Sequence, residues 1–89
     1  MKIKVIKNKK LEDFKDWPLW SCDVSVFDWS YEQEEHCYII SGKVLVKGPI
    51  NSVNIGSGDY VVFPKGLNCT WKVEEPIKKH YKFIKKNAS

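Results

Sequence analysis

Turn-forming residues cut this chain into short segments, and that punctuation constrains its fold more than any other feature. Ser41 and Gly42, Gly48 with Pro49 and Asn51, Gly56 to Asp59, and Pro64 to Gly66 recur about every eight to twelve residues. Between them the apolar residues alternate or cluster locally, and hardly any stretch has a helical period. The chain therefore reads as all-β, with about eight short strands closing into a small barrel or jelly roll.

Residues 2–7 alternate Lys with Ile and Val, the pattern of an edge strand whose lysines discourage aggregation. Residues 9–16 allow at most a helical turn or two around Leu11 and Phe14, stopped by Trp17 and Pro18. Residues 21–29 form the next strand, and 30–35 a polar turn or strand entrance. Residues 36–40 read as a strand that turns at Ser41 and Gly42 into a hairpin partner at 43–47. Further strands follow at 52–55, 60–63, 68–73 and 78–84, with residues 74–76 breaking the last two apart. No linker, repeat or low-complexity tract interrupts them, so one domain is expected over residues 1–89 with a short N-terminal arm.

Composition narrows the partners. A hydrophobic fraction of 43% with four Trp, four Tyr and four Phe supports one core. All fifteen basic residues are Lys and the net charge is +4. Lys is a solvated point charge that lacks the planar fork with which Arg grips phosphate or guanine, and many of these lysines fall near the two ends. No nucleic-acid partner is expected. Cys22, Cys37 and Cys69 cannot all pair within the chain, and no signal-peptide pattern opens it, so a reducing, cytoplasmic setting is expected. No apolar run is long enough for a membrane span.

From Gly58 the chain reads GDYVVFPKGLNCTW, which resembles the second motif of the cupin superfamily over residues 58–73. Gly58, Pro64 and Gly66 fall at the motif's spacings, and Cys69 stands where those proteins carry a metal-binding His. Anchored on Gly42, the first motif covers residues 29–42 and places Glu35 at the metal-binding Glu, with Trp29 and Tyr31 at the two His positions. The wording WPLW, FDW, CYIISGKV, FPKGLNCTW and KHY is also similar to small single-domain cupins grouped with the ureidoglycine aminohydrolase cupin domain. The resemblance implies a compact cupin barrel, or double-stranded β-helix, often paired as a homodimer. It does not carry over the aminohydrolase activity, because the acid/base and metal positions of that enzyme have no counterparts here.

Metal-binding cupins hold their ion with three imidazoles and a carboxylate. Trp coordinates nothing, and Tyr and Cys must first lose a proton. No catalytic metal is therefore expected. The alternative is a Zn or other soft divalent site built from Cys69 and Glu35, with Cys37 or His80. Strand alternation points Glu35, Cys37 and Ile39 inward and His36 outward, where it packs or meets solvent. Cys69, Trp71 and Val73 share one face. The expected pocket is aromatic with a few polar groups: Trp29, Tyr31, Glu35, Phe63, Cys69, Trp71 and His80. The plain structural reading is that these aromatics simply fill a small barrel.

Glu35 and Cys69 are the candidate catalytic residues. Glu35 beside apolar rings would act as general acid or base, or serve structurally by accepting bonds from Tyr31 and an indole. A Cys69 nucleophile would need His80 or Lys82 nearby; otherwise the thiol is buried and inert. Trp17, Pro18 and Trp20 are expected to form a lid, a plug for the barrel end, or a pairing surface. Two functions remain open: a metal-free protein binding a small molecule in an aromatic pocket, and a hydrolase- or isomerase-like enzyme using Glu35 and Cys69. A homodimer is expected in either case.

Overall fold

The structure is a computed structural model that describes residues 1–7 and 9–84. Among these residues an arm precedes and follows a first short strand, and apart from a single 3-10 turn (Leu11–Asp13) every element is a strand: β1 (Lys4–Ile6), β2 (Leu19–Cys22), β3 (Ser25–Ser30), β4 (Glu34–Lys47), β5 (Ser52–Gly56), β6 (Tyr60–Phe63) and β7 (Asn68–Ile84). All pairings are antiparallel. The all-β expectation holds, and the strands form one sheet that curls into the barrel of a jelly roll.

The curl comes from the two long strands. β4 and β7 pair along almost their whole lengths, from Glu34 opposite Ile84 to Lys47 opposite Thr70. Their first and second halves take different neighbours. The start of β4 pairs with β6 and its end with β5, while the start of β7 pairs with β3 and its end with β2. β1 extends the sheet beyond β6. Two layers result, β1-β6-β4-β7-β2 and β5-β4-β7-β3, sharing β4 and β7 across a bend.

The bend corrects two sequence expectations. Ser41 and Gly42 do not form a hairpin turn, and residues 74–76 do not separate two strands; both segments lie within continuous strands. Register shifts between Ile39 and Val44 concentrate the irregularity there. Gly42 has φ of +100° and packs so closely on β7 that a Cβ would lie 2.3 Å from the Pro76 carbonyl oxygen. Pro76 lacks an N–H, so it fits the one place where the ladder is already broken. The turn signals were genuine, but their sharp bend is accommodated as a paired bulge rather than a reversal.

The other punctuation behaves as read. β6 covers residues 60–63 as expected. In the turn before it, Asp59 Oδ2 accepts from the Gly56 amide at 2.9 Å, and its Oδ1 accepts from Lys7 Nζ at 2.6 Å. Asn51 accepts from the Ile3 amide and donates to the Ile3 carbonyl, both at 3.0 Å, and so mimics a strand partner for the chain's start. Ile39, Val44, Val46, Val61, Phe63, Leu67, Trp71, Val73 and Ile77 fill the space between the layers, all nearly inaccessible to solvent.

The arm takes a position that the sequence left open. Phe14 is buried on the outer face of the first layer, stacked on Tyr38 at 5.0 Å and against Tyr60 at 5.1 Å. Trp17 packs edge-on to Phe14 at 5.0 Å. The segment is thus a cover for one sheet face, while Trp20, three residues on, turns into the barrel. His36 lies on the same outer face, between Tyr60 Oη and Glu34 Oε2.

Candidate functional site

The site lies inside the barrel beside the open edge made by β2 and β3. The Pro-x-Gly turn builds one wall of it. Gly66 donates to the Tyr31 carbonyl at 2.7 Å, and Tyr31 donates to the Leu67 carbonyl at 2.9 Å. Tyr31, in the loop before β4, is thereby pinned with its ring stacked on Phe63 at a centroid distance of 4.7 Å and an interplanar angle of 5°.

Odd-numbered residues of β7 face inward on both sides of the bulge, and so does Glu35 on β4. That parity brings Lys79 to Glu35. Lys79 Nζ donates to Glu35 Oε2 at 2.6 Å, and the two side chains are only 6% and 5% exposed. The same ammonium stands 5.0 Å from the Trp20 ring centroid and 4.8 Å from that of Trp71. Each partner makes the other tolerable: an unpaired buried charge is costly, and removing one member of such a pair typically costs about 3–5 kcal/mol. Desolvated cation–π contacts add about 2 kcal/mol.

A cavity of about 290 Å³ opens onto this pair, lined by Trp20, Phe27, Trp29, Tyr31, Glu35, Trp71, Lys79, Tyr81 and Phe83. It is at the small end of the roughly 300–1,000 Å³ range of ligand sites. Trp29 and Phe83 form a half-exposed rim. A more polar depression lined by Ser30, Glu32 and Gln33 shares Trp29, Tyr31 and Phe83 with the cavity, and so continues its mouth outward. Trp71 itself is only 2% exposed, yet its Nε1 is a buried donor with no acceptor. An unmet donor of this kind costs about 1–3 kcal/mol.

Of the residues expected to line a pocket, the structure brings Trp29, Tyr31, Glu35 and Trp71 together in the cavity. Phe63, Cys69 and His80 are elsewhere. Phe63 is core beneath Tyr31. His80 is an even-numbered residue of β7, so it faces the outer side, where its Nδ1 donates to the Trp17 carbonyl at 2.8 Å. Cys69 is buried behind the cavity wall rather than lining it, with its Sγ 3.7 Å from the Trp29 carbonyl, and burial pushes its thiol up to about 11. Cys37 is pushed up to about 12, again by burial. Burial, reinforced by the Glu35 charge, raises the Tyr31 phenol well above its ordinary range. None of these three groups is an anion near neutral pH.

Lys79 was missed from the sequence, although two signals point to it. Carrying the parity of Cys69 and Trp71 straight through Pro76 puts residue 79 inside, and an inward Glu35 needs a cation. The expected hydrogen bonds to Glu35 from Tyr31 and an indole are replaced by this ion pair.

The donor set does not fit a divalent metal. Among the described residues no group of three or more His, Cys, Asp or Glu is placed to hold one. The Lys79 ammonium occupies the position beside Glu35 from which a cation would be repelled. The other candidates, Tyr31 and Cys69, hold their protons tightly.

A curled antiparallel sheet with a site between its layers, the Pro-x-Gly turn and a motif carboxylate together define a small cupin. Residues 9–81 match the EutQ-like cupin domain, Cupin_3, and the chain belongs to that family. It is similar to a DUF861 family protein of Thermotoga maritima, with 44% identity, a TM-score of 0.85, and coverage of 93% of this chain and all of that one. The EutQ protein of Clostridium difficile shares the fold, with 21% identity and a TM-score of 0.66 over 89% of this chain, and this chain spans 64% of it. A cupin superfamily protein of Desulfitobacterium hafniense does so at 12% identity and a TM-score of 0.63, over 94% of this chain and 79% of that one. No curated protein matches.

Proposed function

We propose that this cupin is a metal-free binding protein for a small planar molecule held in the aromatic cavity. The observation that carries the reading is the Lys79–Glu35 pair, buried at 2.6 Å among Trp20, Trp71 and Phe27 in a cavity of about 290 Å³. A barrel merely filled by its side chains would have neither the space nor a charged pair lining it. The enzymatic alternative on Glu35 and Cys69 lacks support, since the thiol does not line the cavity and is held protonated by its burial. The narrower relationship to ureidoglycine aminohydrolase cupin domains rests on sequence wording alone. The three free thiols suit a reducing cytoplasm. Among the described residues no helix is long and apolar enough to cross a membrane.

The test is to follow the indole N–H resonances of Trp20 and Trp71 by NMR while a set of small aromatic compounds is titrated in. Binding in the cavity moves both resonances saturably, and a Trp71→Phe variant loses one signal and weakens the uptake. If no compound shifts either indole, the pocket reading fails.

A further inference from the structure

The cavity's polar groups select one class of guest. Glu35 and Lys79 are already joined, so the charges facing the cavity sum to zero. A carboxylate guest would bring a second negative charge beside Glu35, and an ammonium guest a second positive charge beside Lys79. Both arrangements are disfavoured where water is excluded. The pair nevertheless has unused capacity. Lys79 has three N–H donors, one of which is directed to Glu35, and a carboxylate accepts from several directions. Trp71 adds a buried indole N–H to the cavity wall, on the side of Tyr31 and Cys69. A donor and an acceptor thus lie side by side, with the Trp20 and Trp71 rings packed against the ammonium.

We infer that the natural ligand is a neutral, planar molecule with an amide-type edge, a carbonyl beside an N–H as in a carboxamide or a ring lactam. Its carbonyl accepts from Lys79, and its N–H donates to Glu35. Trp20, Phe27 and Trp71 supply apolar surface for its flat faces. This inference rests on the pocket reading above and adds to it the charge and hydrogen-bond pattern of the guest.

A series of probes with one ring and different head groups tests it: benzamide, benzoate, benzylammonium and toluene, titrated at pH 7 against the Trp71 indole resonance and by calorimetry. Benzamide is expected to bind at least about tenfold more tightly than each of the others, because only it uses both donor and acceptor without adding charge. In Glu35→Gln the lysine loses its counter-ion, and the preference is expected to pass to benzoate. If benzoate, benzylammonium or toluene equals benzamide in the unaltered protein, the amide-edge inference is overturned while the pocket reading survives. If none of the four binds, both fall. Should Glu35→Gln fail to fold, the ranking in the unaltered protein still decides.

Discussion

Lys79 and Glu35 are each stable inside the barrel only because of the other, and this can be measured. Lys79→Met leaves a carboxylate buried without a partner and is expected to destabilise the fold by about 3–5 kcal/mol. Glu35→Met strands the ammonium at a similar cost. The double variant, with two apolar side chains of comparable volume, is expected to recover most of the loss. Denaturant midpoints around this cycle should give a coupling energy of about 2 kcal/mol or more; additive single effects would show that the two residues act independently. The buried thiols link the same interior to pH. Cys37 and Cys69 titrate at about 12 and 11 in the fold, against 9.0 for an ordinary thiol. The unfolded chain therefore loses protons that the folded chain keeps. Their contribution is complete below about pH 9 and is lost as pH rises through the folded values, so urea midpoints should fall progressively above pH 9. At pH 8, iodoacetamide should modify half-buried Cys22 and spare the other two. Rapid alkylation of Cys69 in native protein would contradict its burial. At this scale, Glu35 and Tyr31 were legible because motif spacing marks them, whereas Lys79 was one lysine among fifteen. Only the strand parity carried through Pro76 and the need of an inward Glu35 for a cation single it out, and its register opposite Ile39 places it inside.

The bend shared by β4 and β7 is the element that creates the cavity, because it turns one sheet into two facing layers. Gly42 is its critical residue. Any side chain there would require a left-handed backbone at φ of +100° and would meet the Pro76 carbonyl and the Ile77 Cα, at 2.3 and 2.7 Å for a Cβ. Gly42→Ala is expected to destabilise the fold by about 3 kcal/mol or more, the sum of backbone strain and a rigid clash. By contrast, Gly58 also has positive φ but nothing within 4 Å of its would-be Cβ, so Gly58→Ala should cost only about 1 kcal/mol. Thermal melts of the two variants separate clash from strain, and equal shifts would mean that the close packing at Gly42 is unimportant. The same pair shows what the sequence could convey. A Gly with turn-forming neighbours announces a sharp local bend, and β6 and the Pro-x-Gly turn were read correctly on that basis. Whether a bend reverses the chain or only kinks it depends on a partner strand far away. The irregularity at Pro76, over thirty residues on, makes Gly42 a bulge, so a hairpin and a second strand break were expected where two long strands run through.

On the scale of the whole molecule, the two open sides of the barrel are treated differently. On one side β1 lies in a segment where Lys alternates with apolar residues, with Lys2, Lys4 and Lys7 exposed, and β5 presents Ser52 and Asn54. Charge and polarity of this kind discourage strand-to-strand association. On the other side, β2 and β3 line β7 one after the other, and they and the turn between them carry exposed Leu19, Val24, Val26 and Trp29. This second edge is neither charged with lysines nor covered by the arm, whose Phe14 and Trp17 pack on the outer face of the first layer. We therefore propose that two copies pair through the β2–β3 edges about a two-fold axis, the commonest symmetry for a small domain that buries little surface alone. Such a pairing would place the partner beside the rim formed by Trp29 and Phe83, so cavity access and dimer formation would be coupled. Light scattering at micromolar concentration is expected to give twice the chain mass of 10.4 kDa. Val24→Lys with Val26→Lys, which copies the protection of the opposite edge, should return the mass to that of one chain with the fold retained by circular dichroism. A single-chain mass for the unaltered protein would overturn the pairing and leave the β2–β3 edge as exposed apolar surface on a monomer.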